Sequence, residues 1–306
     1  MSSRLCVLGS LNMDLVVTTP RFPLPGETVL GGSFHRSPGG KGANQAVAAA
    51  RLGAEVAMIG CLGRDDHGAE LRRVLATEGI DHQAVSESAS PTGVALIQVQ
   101  TSGENQIVVA PGANADLSPA RLENHHSALQ QADLLLMQME VPAATVWRAA
   151  ELACDAGTLV VLNAAPAQSL PAEAPDLLDA LLVNQAEAAT LSDLPLETPP
   201  EDLLRALLAQ GFAEVILTAG KAGAWAGRKS ESGLQILFQK AFPVVAVDSV
   251  GAGDAFAGAW SMARAEGRSQ QECLQRGAVA GALATTARGA IPAMPSRAAW
   301  KDAKFP

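Results

Sequence analysis

Paired cysteines are missing from this chain. Cys6, Cys61, Cys154 and Cys273 stand far apart, and no CxxC or CxxH spacing occurs. That argues against a zinc site, and thiols scattered through apolar segments read as buried free cysteines of a reducing compartment. Positive charge is also scarce: 22 Lys and Arg face 31 Asp and Glu, a net charge of −9. An extended nucleic-acid or anionic-membrane footprint is therefore disfavoured, although a local cationic pocket for a nucleotide is not. No apolar run approaches the ~20 residues of a membrane span. The start, Arg4-Leu5-Cys6-Val7-Leu8-Gly9, is too short for a signal-peptide core and reads as a first strand, so the expected location is cytoplasmic. Neither common nucleotide loop is intact. G-x-x-x-x-G-K-[ST] is absent, and Phe256 occupies the third glycine position of a would-be G-x-G-x-x-G. Internal repeats and low-complexity linkers are lacking too.

What remains is a chain of 306 residues, 48% hydrophobic, with 28 Gly and 18 Pro, ordinary for a soluble α/β enzyme. Short β-rich runs alternate with helical patterns. Strands are expected at 5–8, 56–60, 134–140, 159–163, 180–184, 214–218 and 244–247, with an alanine-rich helix inside 37–54 and further helices at 66–78, 118–131, 143–156 and a final one at 270–287. The alternation predicts a three-layer, mainly parallel sheet with helices on both faces. Extended segments at 15–17 and 27–30, and a hairpin joining 92–99 to 106–109, fall outside that rhythm. They predict a small β-sheet lid from about residues 14–36 and 91–112 on a single domain covering 1–306. Glu140, Asn163, Asn184, Thr218 and Asp248 are polar residues at expected strand ends, where open α/β sheets bind ligands.

Two glycine-rich stretches carry the chemistry. The first, Gly39-Gly40-Lys41-Gly42-Ala43-Asn44, opens an alanine-rich helix that Gly53 closes. A lysine at a helix start opposes the dipole and needs a compensating reason. The second, Val244 to Phe256, reads as a strand, a Gly251-Ala252-Gly253 turn, and a helix whose apolar face is Phe256, Trp260 and Ala263. Unpaired amides at such a helix start suit a phosphate or a phosphoryl group in flight. Asp254 sits at the mouth, where a carboxylate accepts a proton from an attacking hydroxyl.

These two stretches together resemble the paired signatures of the ribokinase family of sugar kinases, G-G-K-G-A-N-Q-A at 39–46 and D-x-x-G-A-G-D-x-F at 248–256. The similarity runs over nearly the whole chain. Gly9-Ser10-x-Asn12-x-Asp14, Pro23-x-Pro25-Gly26-Glu27-Thr28, the 112–119 segment and Asn163-x-Ala165-Pro166-Ala167 resemble the ribokinase branch rather than the fructokinase or adenosine kinase branches. The resemblance implies ATP as co-substrate, Mg²⁺, and phosphorylation of D-ribose at its 5-hydroxyl, the alternative being a related sugar or nucleoside such as 2-deoxyribose or pseudouridine. It further implies sugar contacts from Asn12, Asp14, Gly40, Lys41, Asn44, Glu140 and Asp254, with Asp254 as base and Gly251, Ala252 and Gly253 as the anion hole. By the same resemblance Asn184, Thr218, Gly220, Gly223, Gly253 and Ala278 meet the nucleotide, and Glu187 meets Mg²⁺ indirectly. Asp248, Val250, Ala284, Ala287, Gly289 and Ala293 would form a K⁺ site, and the chain would dimerise with itself through its lid. Two positions depart from the pattern: Ala278 replaces a frequent Asn or His beside adenine, and Ala293 replaces a Ser near the monovalent cation.

Overall fold

A computed structural model describes residues 2–102, 104–230 and 233–303. In chain order the elements are β1 (Arg4–Leu8), β2 (Asn12–Thr19), β3 (Phe34–Gly39), α1 (Lys41–Leu52), β4 (Glu55–Gly63), α2 (Asp66–Thr77), β5 (Val85–Ser88), β6 (Gly93–Gln100) and β7 (Asn105–Ala110). Then come α3 (Pro119–Glu123), α4 (His126–Gln130), β8 (Leu134–Met137), α5 (Ala143–Asp155), β9 (Leu159–Asn163), α6 (Ala174–Leu177), β10 (Ala180–Asn184) and α7 (Gln185–Ser192). The chain continues with α8 (Pro200–Ala209), β11 (Glu214–Thr218), β12 (Ala224–Ser230), β13 (Gly233–Gln239), α9 (Ala252–Ala265), α10 (Gln270–Ala284) and α11 (Arg297–Asp302).

Nine strands form the large sheet in the order β13-β12-β11-β10-β9-β8-β1-β4-β5. From β11 to β5 every neighbouring pair is parallel, and β12 and β13 add an antiparallel edge. Two apolar clusters flank the sheet, as its continuously hydrophobic strands require. One packs α1, α2, α9 and α10, with Trp260 fully enclosed; the other packs α3 to α8. The expected three-layer α/β architecture is therefore present. A separate four-stranded sheet, order β3-β2-β6-β7, carries the expected hairpin; Gly103 in its connection lies outside the described residues. The chain leaves β1 at Leu8 and enters β2 at Asn12, so residues 9–11 join the two sheets.

Several expected elements differ. The run Val244–Val247 forms no strand, and Val245 and Val247 are exposed. β13 already closes that edge of the sheet, and the amides of Val247 and Asp248 turn to the Thr285 carbonyl instead. Residues 27–30 join no ladder, whereas Phe34–Gly39 pairs with β2. The helix expected at 118–131 is two short helices that break at Asn124–His125. β8 stops at Met137, where its partners β1 and β9 end their pairing, so Glu140 lies beyond the strand. α10 ends at Ala284 and is followed by α11. Cys6, Cys61 and Cys273 are buried thiols, but Cys154 is exposed on α5. Among the described residues no helix is long and apolar enough to cross a membrane.

Candidate active site

The order of the large sheet reverses at β1: the chain runs outward to β4 and β5 on one side, then returns through β8 to β13 on the other. Ligands of open α/β sheets bind at the carboxyl ends of strands at such a reversal. Here those ends carry Gly9–Ser10 after β1, Gln138–Glu140 after β8, Asn163 on β9, Asn184 on β10 and Thr218 on β11. α1 and α9 both start above them. Asp254 in the first turn of α9 is buried, and Asn44 and Gln45 of α1 reach it across 210 and 209 residues of sequence. Asn44 Nδ2 donates to Asp254 Oδ2 and Gln45 Nε2 to Oδ1, each at 2.9 Å.

Lys41 begins α1 among acids. Burial disfavours its ammonium, but the carboxylates of Asp254, Glu140 and Glu187 outweigh that and raise its pKa. Three carboxylates are thus the compensation that a lysine at a helix start requires. Glu140 Oε2 accepts the Ser10 hydroxyl at 2.5 Å and the Lys41 backbone amide at 3.3 Å. On the small-sheet side, Asn12 Oδ1 accepts Asn114 Nδ2 at 2.7 Å, while Asn114 Oδ1 accepts the Leu11 amide at 2.9 Å. Asp14 lies two residues further along β2. Burial first, then the charges of Glu140 and Asp254, push its pKa from 3.8 up to about 7.

The start of α9 is shaped for an anion. Gly251 caps it at φ +76°, and the Ala255 amide closes on the Gly251 carbonyl. The Ala252 amide turns inward to Ser249 O at 3.2 Å. A Cβ added at Gly253 would meet nothing within 4 Å, so backbone is open to the cavity there. That cavity, about 220 Å³, is lined by Lys41, Asn163, Asn184, Glu187, Thr218, Gly251, Gly253 and Asp254 among others. A larger cleft of about 550 Å³ opens at the opposite end of the sheet, between Arg4, Glu55, Asp81 and His125. It holds none of the groups named above, so volume alone is a poor guide to the chemistry here.

The remaining expected residues divide. Asn184 and Glu187 form a reciprocal cap on α7: Asn184 Oδ1 accepts the Glu187 amide and Glu187 Oε2 accepts the Asn184 amide, both at 2.8 Å. Their N-x-x-E spacing therefore has a structural cause as well as a place in the cavity wall. Burial raises the pKa of Glu187. Thr218, Gly220 and Gly223 follow at the end of β11, with Gly220 and Gly223 at φ +52° and +111°. Ala278 is buried on α10, packed in the core rather than lining the cavity. Asp248 accepts the amides of Val250 at 3.1 Å and Gly289 at 2.9 Å, which draws these three together; Ala284 and Ala293 are buried and Ala287 is exposed. Sequence reasoning assigned no role to Gln45, Asn114 or Gln138, and placed Ser10 only generally, in a polar strand end suited to ligands. Gln45 and Asn114 lie inside motifs that carry the resemblance, and their polarity amid buried neighbours was the available signal.

A proton acceptor, an amide-lined cradle and rigid positioning are what transfer of a phosphoryl group to a hydroxyl demands. Fold and site together thus fit the class of small-molecule phosphotransferases. The model of the pfkB family of carbohydrate kinases matches residues 2–297. A ribokinase of Haemophilus influenzae is 41% identical over 300 residues, covering 97% of each chain. Another, from Bacillus subtilis, is 39% identical with 96% of each chain covered. The structure of an Arabidopsis thaliana ribokinase complexed with ribose and ATP superposes with a TM-score of 0.91 at 32% identity, covering 100% of both chains. The chain belongs to the pfkB family of carbohydrate kinases.

Proposed function

We propose that this chain is an ATP-dependent kinase that phosphorylates D-ribose at its 5-hydroxyl. The observation that carries the reading is Asp254, buried at the start of α9 with both oxygens held by amides of α1. Each carboxylate oxygen keeps a lone pair for the proton of the attacking hydroxyl. Asn12, Asp14, Gly40, Lys41, Asn44 and Glu140 would hold the sugar. Asn44 Oδ1 supports this, being a buried acceptor with no partner among the described residues, which a sugar hydroxyl would satisfy. Gly251 and Gly253 would face the transferring group, with Gly253 leaving room for it, whereas the Ala252 amide is already bonded to the Ser249 carbonyl.

Asn184, Thr218, Gly220, Gly223 and Gly253 would carry the nucleotide along the ends of β10 and β11, with Ala278 packed behind its base site. Mg²⁺ supplies charge neutralisation of the phosphates when bound. Among the described residues no cluster of three His, Cys, Asp or Glu side chains is arranged for a metal. An ion held by phosphates and water would take its protein contact indirectly, from Glu187 in the cavity wall. For K⁺, the Asp248 carboxylate with the carbonyls of Val250, Ala284, Ala287, Gly289 and Ala293 is a hard-oxygen set suited to such an ion, to which the Ala293 side chain adds no oxygen. Exposed Phe34, Leu96, Ile107 and Val108 on the small sheet support a homodimer joined through it, with that sheet acting as a lid. The expected setting is the cytoplasm.

A coupled ATP assay across ribose, 2-deoxyribose, hexoses and nucleosides tests the substrate. Ribose should exceed 2-deoxyribose in kcat/KM by about 1–3 kcal/mol, the cost of leaving a buried partner unmatched. Equal use of 2-deoxyribose would reassign the sugar. Asp254→Asn should lower kcat by about 10²–10⁴-fold with little change in thermal midpoint. A folded variant with more than about a tenth of wild-type kcat would remove Asp254 from the mechanism.

A further inference from the structure

Behind Asp254 lies a chain of amides that the transfer step does not touch. Gln45 Nε2 donates to Asp254 Oδ1 and to Asn163 Oδ1, both at 2.9 Å, so both of its hydrogens are used. Gln45 Oε1 accepts Gln138 Nε2 at 2.7 Å. Asn163 Nδ2 donates onward to Leu182 O at 3.2 Å, anchoring the chain in β10. Gln45 and Gln138 have no solvent exposure. Gln45 is also absent from the wall of the cavity, which Asn163 and Asp254 do line.

The direction of this chain follows from charge. An ionised carboxylate only accepts hydrogen bonds, so Gln45 must present its nitrogen to Asp254. Its oxygen then faces Gln138, which must in turn present a nitrogen. Asn44 secures the other carboxylate oxygen, yet its own acceptor is unpartnered and available to a ligand. Gln45 has no such second duty. We infer that Gln45 is a positioning residue for phosphoryl transfer, its amide fixing the Asp254 carboxylate against β9 and β10, with Gln138 holding Gln45 in turn. This inference rests on Asp254 being the proton acceptor.

Because Gln45 reaches no substrate, its loss should appear in kcat and not in the KM of either substrate. The experiment begins with the wild-type chain, ribose and ATP, together with Asp254→Asn. If the wild type does not turn over, or Asp254→Asn stays active, the proposed function fails on its own account. On an enzyme that passes, Gln45→Met keeps the side chain's length and removes its hydrogen bonds. Its kcat is expected to fall about ten- to hundredfold, the cost of a misaimed reacting group, with both KM values within about threefold of wild type. Gln138→Met, one amide further away, should lose less. The double variant should be no slower than Gln45→Met alone, because Gln138 acts only through Gln45.

A purely structural role predicts a lower thermal midpoint with kcat per folded molecule unchanged. A folded Gln45→Met enzyme within about twofold of wild-type kcat, or losses that multiply in the double variant, overturns the inference. Should Gln45→Met fail to fold, Gln138→Met decides: reduced kcat at unchanged KM supports the inference and unchanged kcat overturns it.

Discussion

The turn at Gly39–Gly42 is filled by the protein itself. A Cβ at Gly42 would lie 2.6 Å from the Gly9 carbonyl carbon and 2.7 Å from the Ser10 amide nitrogen, and one at Gly39 would lie 2.3 Å from Asp14 Oδ2. The turn at Gly251–Gly253 is built differently. Gly251 is required by its φ of +76°, while a Cβ at Gly253 would meet nothing within 4 Å although the residue lines the cavity. Both turns open helices that converge on Asp254. In the first, glycine is imposed by the fold, because two backbones and a carboxylate must come close. In the second, the fold leaves space at Gly253, so any demand for glycine there comes from a ligand. The same residue type in two similar-looking motifs thus answers to folding in one case and to binding in the other.

Substitutions that add one methyl group test this contrast. Gly42→Ala should have the largest effect. Backbone on the far side cannot yield as a flexible side chain would, so overpacking should cost about 1–3 kcal/mol and several degrees in thermal midpoint. Ser10, which holds Glu140, moves with it, and kcat/KM should fall about a hundredfold. Gly253→Ala should separate the two readouts. Its thermal midpoint should stay level or rise slightly, since alanine is the better helix residue. Its KM for ATP should rise about tenfold, because a methyl group would stand where phosphate approaches. A Gly253→Ala enzyme that is destabilised but kinetically normal would abolish the distinction.

The contrast also marks how far the sequence could be read. The parallel core was legible because Leu5–Leu8, Leu134–Met137 and Val215–Leu217 are unbroken apolar runs of the kind that strands buried on both faces require. The edge strands β12 and β13 escaped notice. Ala224–Ser230 contains a glycine, an arginine and a lysine, and Gly233–Gln239 is mostly exposed, so neither shows the period of a buried strand. Val244–Val247 erred in the opposite direction: β-branched composition measures fit to a half-buried sheet surface, and that segment has no sheet beside it. Within the site, the glycines, Lys41 and Asp254 announced themselves through local spacing. The pairing of Asn44 and Gln45 with Asp254 did not, because contacts across some two hundred residues leave no periodicity in one sequence. Asn184 and Glu187 show the converse limit, since a two-residue cap and a ligand contact share the same spacing.

The last test concerns the carboxylate beside each turn. Asp254 at the open turn has both oxygens held by amides, whereas Asp14 at the filled turn is buried beside two other acids, with its pKa raised from 3.8 to about 7. Below about pH 4, Asp14 carries its proton in folded and unfolded chains alike, and burial of the neutral acid adds its full share of stability. Between about pH 4 and pH 7 the unfolded chain releases that proton while the folded chain keeps it. The folded state then binds more protons, so stability must fall as pH rises, by at most about 1.4 kcal/mol per pH unit, and level off above about pH 7. Burial raises the pKa of Glu187 and Glu214 in the same direction, so the wild-type profile mixes several groups. Asp14→Asn isolates one of them: thermal midpoints measured on both proteins from about pH 4 to pH 8 should converge at the acid end and diverge with the variant higher at the neutral end. Saturating ribose should narrow the gap, because hydroxyls donating to the ionised Asp14 stabilise the charge that burial penalises. Parallel profiles without divergence would show that Asp14 is solvated and would strip the filled turn of its buried acid.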